Sequence, residues 1–352
     1  MFITGLGTAV PPRQYSQAQC WEVLRASPGV SRLRGPAKAL LERVLLGDSG
    51  IATRHLALER LEDVLELDPD VLHARFATHA PVLAMQAASA ALERARTAPR
   101  EIDAIAISTC TGLLCPGLTS HVAERLGLRD DVLALDLVGQ GCGAALPNLR
   151  TANALIAGGE HAKVLSICVE VCSAALYLDD DPGVLLSACL FGDGAAAAVL
   201  SRTAPAAGPR VQWRGGFSAS NPAERDALCM QSRGGMLRNI LSRRVPSLAA
   251  RAAADLLARA MAQCGFEKTD VRGWIWHAGG RRVLDCVRES AGLEESAMAR
   301  SREMLRRYGN LSSPFVLFVL DAALRDAAPP GRWWMSSFGA GFSCHGALLE
   351  VS

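Results

Sequence analysis

Strand-length apolar runs alternate with helical patterns along this chain, and the alternation restricts its fold more than any other feature. The elements of the first half are an apolar run at 102–109, a helical pattern at 118–128, a run at 132–138, a helical pattern at 143–157 and a run at 162–170. Apolar strands separated by helices are typical of an α/β fold with a buried sheet. The alanine-rich segment 80–95 adds a long helix, which we interpret as scaffold packing.

The second half of the chain repeats this plan. Segment 271–280 resembles the first run, 312–327 the helix after Cys142, and 331–341 the run that follows that helix. Such a duplication predicts two fused, similar half-domains, although the residues themselves are not alike enough to prove it.

A connector rich in proline and alanine, RTAPAAGPR at 202–210, separates the two repeats. Clusters of this composition between periodic segments mark loops. We therefore predict an N-terminal half over 1–205 and a C-terminal half over 206–352.

The composition favours an enzyme or binding protein for small molecules. Half of the 352 residues are apolar and 20% are charged, which is enough to bury a sizeable core. The 37 basic and 35 acidic residues nearly balance, so neither nucleic acid nor a membrane surface is expected as a partner. The N-terminus lacks the pattern of a signal peptide, and no run approaches the ~18 apolar residues of a membrane span. We expect a cytoplasmic protein.

The eleven cysteines are scattered, mostly inside apolar runs. No pair has CxxC spacing, and the number is odd, so the sequence predicts neither a structural metal site nor a disulfide framework. Most of these thiols are expected to be small, reduced core side chains.

Cys142 stands apart because it lies between two glycines in DLVGQGCGAALPN, where an apolar run turns into a helical pattern. The first turn of a helix has free N–H groups and a partial positive charge, which stabilise a thiolate. Glycines on both sides allow a tight turn and a close backbone approach. From these residues alone, Cys142 is either a nucleophile or part of a packing device.

Two further residues are candidates for the same chemistry. His277 ends the apolar run GWIWHAGG and could face a site, although a buried core histidine is the commoner outcome. Asn310, in YGNLSS, lies at the turn before an apolar helix, where an asparagine most simply acts as an N-cap or turn residue.

Taken together, these residues resemble a known family. The motifs that carry the resemblance are GQGCGAALPNL around Cys142, CLFGDGAAAAVL at 189–200, WIWHAGGRRVLD at 274–285, YGNLSSPFVLFVLD at 308–321 and SFGAGFS at 337–343. In order and spacing they are similar to those of the type III polyketide synthases, the chalcone synthase-like branch of the thiolase superfamily. The resemblance implies a layered αβαβα fold built from two duplicated half-domains, and a homodimer.

The resemblance also implies an activity. Cys142 matches the acyl-accepting nucleophile, His277 and Asn310 the catalytic histidine and asparagine, and Phe191 the phenylalanine between the acyl-CoA tunnel and the reaction cavity. An imidazolium at His277 would hold Cys142 as a thiolate. The expected enzyme is an acyltransferase that loads an acyl-CoA starter, extends it with malonyl-CoA by decarboxylative condensation and cyclises the product. CoA thioesters are its substrates, and no other cofactor or metal is implied.

Several positions are expected to shape the substrate site. Gly279 and Gly280 would let the pantetheine arm pass, and Gly339 begins the glycine loop beside the active site. Ala340 replaces the proline of plant members, which puts the rigidity of that loop in doubt.

Three more departures concern the cavity. Asn239 replaces a second gatekeeper phenylalanine, Ala175 replaces a larger side chain, and Cys115 stands where a methionine reaches across the dimer. Because smaller side chains leave more room, we predict an aliphatic starter and a pyrone, resorcinol or similar product, as in bacterial alkylpyrone- and alkylresorcinol-forming relatives.

The sequence identifies the residues that would bind the CoA phosphates less specifically than it identifies the catalytic ones. Arg54 lies near a family position that contacts CoA, and Arg281 and Arg282 follow the glycines after His277. A solvated surface arginine is the simpler interpretation of each.

Three alternatives stay open at this point. A ketoacyl synthase III also uses Cys, His and Asn, but its histidine precedes Gln-Ala-Asn where this chain has HAGG. A cysteine acyl-CoA thioesterase would also need a nucleophile and a histidine, and it would not decarboxylate malonyl-CoA. A non-catalytic acyl-binding relative is the third alternative, and the intact set of four residues argues against it.

Overall fold

The computed structural model describes residues 1–326 and 328–352. Its strands are β1 Phe2–Ala9, β2 Gln14–Ser16, β3 Thr53–His55, β4 Ala104–Ser108, β5 Leu133–Leu137, β6 Lys163–Glu170, β7 Gly194–Ser201, β8 Val211–Ser220, β9 Leu228–Arg233, β10 Met236–Leu241, β11 Val271–Trp276, β12 Gly331–Gly339 and β13 Ser343–Val351. Its α-helices are α1 Gln17–Arg25, α2 Pro28–Ser31, α3 Gly35–Leu46, α4 Pro69–Ala95, α5 Leu118–Leu126, α6 Ala145–Ala157, α7 Pro182–Leu190, α8 Val245–Cys264, α9 Arg281–Ala291, α10 Ala299–Tyr308 and α11 Phe315–Arg325.

Nine strands form one sheet with the order β11-β12-β13-β8-β1-β7-β6-β4-β5. On the N-terminal side, β4 pairs in parallel with β5 and β6, and β6-β7 and β7-β1 are antiparallel. On the other side, β11 is parallel to β12, and β12-β13 and β13-β8 are antiparallel. The order of pairings is therefore the same in the two parts of the sheet. One parallel pair, β4-β6 or β11-β12, is followed by two antiparallel pairs, β6-β7 and β7-β1 or β12-β13 and β13-β8.

The join between the two parts of the sheet is narrow. Strands β1 and β8 pair only through Phe2 with Gln212 and Ile3 with Val211. Because so few backbone hydrogen bonds cross at this point, packing of side chains must hold the two parts together.

The helices supply that packing in three layers. Helices α6 and α11 each contact strands of both parts of the sheet, so they lie between them. Helix α4 packs on β1, β6 and β7, and α5 packs on β4 and β5. Helix α8 covers β8, β12 and β13, and α9 packs on α8. This arrangement is the predicted αβαβα fold with duplicated halves, and the alternation of strands and helices in the sequence is confirmed.

A few element boundaries differ from the sequence-based ones. Helix α4 begins at Pro69, before the expected start at residue 80, because the Asp68 carboxylate caps it by accepting from the N–H groups of Asp70 and Val71. Strand β5 is a largely exposed edge rather than a buried strand. The helix predicted over 312–327 is α11, Phe315–Arg325, and Ala327 lies outside the described residues.

None of the helices in the described ranges has the length and apolar character needed to cross a membrane.

Strand β1 packs directly on α4 through two glycines. A Cβ at Gly7 would overlap the carbonyl oxygen of Ala87 and the N–H of Ala91, and one at Gly5 would overlap the backbone of Ala91 and Ala95.

We expect Gly7→Ala to lower the free energy of unfolding by about 3 kcal/mol, because neither backbone can move without disturbing the layer. Urea unfolding followed by fluorescence measures this change.

The matched control is Gly35→Ala in α3, where a Cβ meets no atom within 4 Å. Its free energy of unfolding should change by less than about 0.5 kcal/mol. Equal losses in the two variants would contradict the close packing of β1 on α4.

Candidate active site

Cys142 lies in a single 3-10 turn, Gly141–Gly143, between β5 and α6. Gly141 has a φ of 54°, in the left-handed region that glycine tolerates. The C-terminal end of β12 presses against this turn, since a Cβ at Gly339 would overlap the N–H of Gly143 and the carbonyl of Gln140. The cysteine turn from one half is thus held by backbone from the other half.

Side chains fix the same contact. The Ser337 hydroxyl donates to the Gly143 carbonyl at 3.0 Å, and the Ser343 hydroxyl donates to the Ala340 carbonyl at 3.0 Å. The second hydrogen bond restrains the loop at the position where plant members of the resembled family carry proline. Gly339 therefore serves close packing, and Ala340 faces a cavity.

His277 follows the last residue of β11, and its N–H donates to the Ser336 carbonyl of β12 at 2.9 Å. Its side chain is 1% exposed and meets the rings of Phe315 and Phe338 edge-on, with centroids 5.5 and 5.1 Å away. Nδ1 is buried and has no hydrogen-bond partner within the described ranges. Nε2 is therefore the ring nitrogen available to the cavity.

Phe191 and Asn310 come from different halves and are joined by their backbones. The Asn310 N–H donates to the Leu190 carbonyl at 2.8 Å, and the Gly192 N–H donates to the Asn310 carbonyl at 3.0 Å. The Asn310 Oδ1 atom accepts from the Ser312 N–H at 2.8 Å. This turn leaves the Asn310 amide nitrogen as the group that can donate to a ligand.

A polar cluster beside Cys142 was not found from the sequence. The Ser312 hydroxyl lies 3.3 Å from Cys142 Sγ and 3.3 Å from Glu170 Oε1. Glu170 is fully buried and also accepts from the Thr111 hydroxyl at 2.9 Å and the Ser313 hydroxyl at 2.6 Å. Ser312 has a φ of 59°, which is strained for a serine and typical of functional sites.

Two cavities meet at Cys142. The outer cavity is lined by Cys142, Leu190, His277, Gly279, Gly280 and Asn310 and opens among arginines. The inner cavity is lined by Cys110, Ala175, Val184, Leu228, Asn239 and Ala340. Cys142, Phe191 and Leu228 line both cavities, so they form the boundary between them.

Most sequence-predicted residues thus gather around these cavities, and two do not. Cys115 is exposed and lines neither cavity of its own chain. Gly339 contacts the cysteine turn instead of either cavity.

Arg54 also differs from its predicted role. Its side chain is 3% exposed, and its guanidinium donates to Gln17, Ala188 and Phe191. These contacts hold Arg54 in the wall of the inner cavity, away from the mouth where a CoA phosphate would lie. From the sequence alone, an arginine in a short motif is expected to lie at the surface. Only the folded structure shows that Arg54 is buried.

The mouth of the outer cavity carries other cations. Arg34 and Arg281 pair with Asp180 and Asp48, respectively. Arg43, Arg243 and Arg282 line the same mouth and form no ion pair with any described residue.

Burial sets the charge state of the site. It raises the pKa of Cys142 to about 12, against a lowering effect of the Ser312 hydrogen bond, and nearby Glu170 raises it further. Burial alone lowers the pKa of His277 to about 3. Both shifts favour a neutral imidazole and a thiol in the resting site, in place of the expected imidazolium and thiolate.

No group of three or more His, Cys, Asp or Glu side chains suited to a metal ion occurs in the part of the chain that the structure describes.

Comparison with known proteins supports the sequence-based interpretation. Residues 12–211 match the sequence model of the FAE1/type III polyketide synthase-like proteins, and residues 227–349 match that of the C-terminal domain of chalcone and stilbene synthases.

Among curated relatives, the chain is 31% identical over 360 residues to 1,3,6,8-tetrahydroxynaphthalene synthase of Streptomyces peucetius subsp. caesius, covering 99% of this chain and 92% of that protein. It is 27% identical over 364 residues to the alpha-pyrone synthesis polyketide synthase-like Pks18 of Mycobacterium tuberculosis, covering 99% and 91%.

Solved structures agree with these relatives. The PKS-I structure from the brown alga Ectocarpus siliculosus superposes with a TM-score of 0.89 at 26% identity, covering 99% of this chain and 97% of that one. The 1,3,6,8-tetrahydroxynaphthalene synthase of Streptomyces coelicolor A3(2) superposes with a TM-score of 0.88 at 25% identity, covering 99% of both chains. The chain therefore belongs to the type III polyketide synthases.

Proposed function

We propose that this polyketide synthase loads an aliphatic acyl-CoA starter on Cys142, extends it with malonyl-CoA and cyclises the product to a pyrone, resorcinol or similar ring. The observation that carries the proposal is that Cys142, His277 and Asn310 line one cavity, with Phe191 at its boundary to a second cavity.

Loading starts from the neutral pair. As Cys142 Sγ attacks the thioester carbon, its proton passes to His277 Nε2, so charge separates only in the transition state. The bond between the acyl carbon and the CoA sulfur then breaks. The CoA thiolate takes the proton from His277 and leaves, and the acyl group stays on Cys142.

In the extension step, His277 and Asn310 stabilise the negative charge that forms on malonyl-CoA. When malonyl-CoA loses carbon dioxide, negative charge develops on its thioester oxygen. The amide of Asn310 stabilises it, and so does neutral His277 as its second tautomer, in which the ring proton has moved from Nδ1 to Nε2 after loading. Phe191 presents an apolar face to the carboxylate, which favours the neutral carbon dioxide over the charged ground state. The enolate attacks the acyl carbon and displaces Cys142, and transfer of the longer chain back to sulfur repeats the cycle.

The lining of the inner cavity supports an aliphatic starter. Val184, Leu228 and Ala175 present apolar or small side chains to it. Beyond Cys110 it meets a far pocket whose wall is mainly apolar, with Leu72, Phe76, Leu113, Val138, Met236 and Leu237. The two pockets share the lining residues Cys110, Thr111, Gly141, Cys229, Met230 and Ala340. We assign the part of an alkyl chain that is too long for the inner cavity to this far pocket.

The rim supports CoA thioesters as the form of the substrate. Arg43, Arg243 and Arg282 lie at the mouth of the outer cavity without an anionic partner among the described residues, and guanidinium groups that lack such a partner bind phosphate groups well. We assign the CoA phosphates to this rim and the pantetheine arm to the passage beside Gly279 and Gly280. The proposed cycle uses no cofactor beyond CoA.

We propose a homodimer in the cytoplasm. Leu113 and Val138 are 71% and 56% exposed and lie near the edge strand β5, which suits contact with a second copy, and Cys115 belongs to the same surface. All eleven cysteines are free thiols, which fits a reducing compartment.

Replacing the nucleophile tests the activity. Cys142→Ala should lose starter loading and product formation entirely, because no other group accepts the acyl chain. Mass spectrometry of the intact protein after acyl-CoA treatment, together with product analysis, measures both. The matched control, Cys264→Ala, removes an exposed thiol at the end of α8 and should keep wild-type activity. Product formation by Cys142→Ala would overturn the mechanism.

The charge state predicts a pH profile. With the pKa of Cys142 near 12 and that of His277 near 3, the thiol is protonated throughout pH 6–9. Alkylation of Cys142 by iodoacetamide should therefore rise about tenfold per pH unit, since only the thiolate reacts. Peptide mapping of the modified cysteine measures the rate. A plateau across this range would instead establish an ion pair with His277.

Starter choice tests the assignment of the inner cavity. A panel of acyl-CoAs from acetyl to palmitoyl, with benzoyl-CoA as an aromatic member, should show extension of the aliphatic starters. Ala175→Phe should lower kcat/KM for the longest chains about tenfold or more and leave acetyl-CoA unchanged, because the new ring fills the wall. Extension of aromatic starters alone would contradict the proposal.

A further inference from the structure

The C-terminal end of α7 is fully capped, and the cap reaches the active site. A helix leaves its last four carbonyls without partners inside the helix. Here two of these carbonyls accept from backbone groups: Ser187 from the Phe191 N–H at 3.2 Å and Leu190 from the Asn310 N–H at 2.8 Å. The other two accept from side chains: Ala188 from Arg54 Nη1 at 2.8 Å and Cys189 from Gln17 Nε2 at 2.9 Å. One helix end therefore connects Arg54 and Gln17 to both Phe191 and Asn310.

Arg54 is the centre of this cap. Its Nη1 also donates to the Phe191 carbonyl at 2.9 Å, and its Nε donates to Gln17 Oε1 at 3.0 Å. All its acceptors are neutral, and no described carboxylate lies within ion-pair distance of its guanidinium. A buried cation without a counter-ion is costly, and the partial negative charge at a helix C-terminus offsets part of that cost.

The stem of Arg54 also contacts the chain that leads to Asn310. Gly309 has a φ of 70°, and a Cβ there would lie 2.9 Å from Arg54 Cγ and 2.7 Å from the Leu190 carbonyl oxygen. The approach of Gly309 and Asn310 to α7 is thus limited by the Arg54 side chain. Cys142, by contrast, is held by Gly339 and Ser337.

We propose that Arg54, oriented by Gln17, is a positioning residue that sets Phe191 against Asn310 for the decarboxylation of malonyl-CoA. Arg54 touches the backbone on both sides of the Phe191–Asn310 bridge and none of the groups that hold the Cys142 turn. Its loss therefore impairs extension and spares loading. This inference rests on the function proposed above.

Arg54→Lys separates the two steps. A lysine keeps the positive charge but cannot donate to Gln17, Ala188 and Phe191 in the planar arrangement of a guanidinium. We expect loading of Cys142 by an acyl-CoA, followed by mass spectrometry, to stay within about twofold of wild type. Release of carbon dioxide from [¹⁴C]malonyl-CoA by the loaded enzyme should fall about tenfold or more in kcat, because small displacements of reacting groups cost large factors in rate.

Arg202→Lys is the matched control. Its guanidinium likewise donates to carbonyls at a helix end, those of Ile156 in the last turn of α6 and of Gly159 just after it. Arg202 lines neither the outer nor the inner cavity. It should leave the ratio of loading to decarboxylation rates unchanged even if it lowers thermal stability. A second variant, Gln17→Ala, keeps Arg54 and should shift the ratio in the same direction as Arg54→Lys, by a smaller factor.

The outcomes are distinct. Equal losses of loading and decarboxylation in Arg54→Lys, or no loss of either, would overturn the positioning role. If Arg54→Lys does not fold, an unchanged ratio in Gln17→Ala would overturn it instead. Failure of the wild-type protein to release carbon dioxide from malonyl-CoA would refute the proposed function itself.

Discussion

The active site depends on backbone contact between the two halves of the chain. The turn that carries Cys142 fits against the loop of Gly339 so closely that no Cβ can stand between them. A second contact, the backbone bridge between Phe191 and Asn310, joins the halves on the other side of the cavity. Both contacts are made between backbone atoms and are reinforced by buried side chains, Ser337 at the first and Arg54 at the second, so the distances between these groups are set by the packing of the fold. This rigidity is what electrostatic stabilisation of an enolate requires, since its donors must be in place before the charge develops.

Burial then decides the electrostatics. His277 is enclosed by two phenylalanine rings, and Cys142 is itself buried, so both lose the solvation that their charged forms need. In the cycle proposed above, one histidine acts twice, and a neutral resting pair suits both tasks. His277 would take a proton from sulfur during loading and donate a hydrogen bond to the enolate during extension. Glu170 accepts hydrogen bonds from hydroxyl groups around the thiol and ties Ser312 to the cavity wall.

The sequence predicted the residues that carry a local signature and missed those that do not. Cys142 lies between glycines, His277 ends an apolar strand, and Asn310 precedes a helix, so each stands out in its own segment. Ser312 and Glu170 come from separate segments and meet only in the folded chain, and a serine in NLSS or an acid at the end of a strand carries no local signal of its own. The sequence associated Arg54 with the CoA phosphates because a motif does not show whether a side chain is buried. The apolar run of β5 predicted a buried strand, whereas β5 is an exposed edge, because the run does not show which strands lie at the edge of the sheet.

By itself the sequence determined the alternation of strands and helices and, through motifs that resemble a known family, the αβαβα plan and the family of the enzyme, because apolar periodicity and short motifs are properties of neighbouring residues. The tertiary structure alone decided which groups share a cavity, which cations line its mouth and which charge states burial favours for Cys142 and His277. Those properties depend on distance and on exclusion of water. Both arise only when segments remote in the sequence pack against one another, as Arg54 does against the end of α7 and Gly339 against the turn of Cys142.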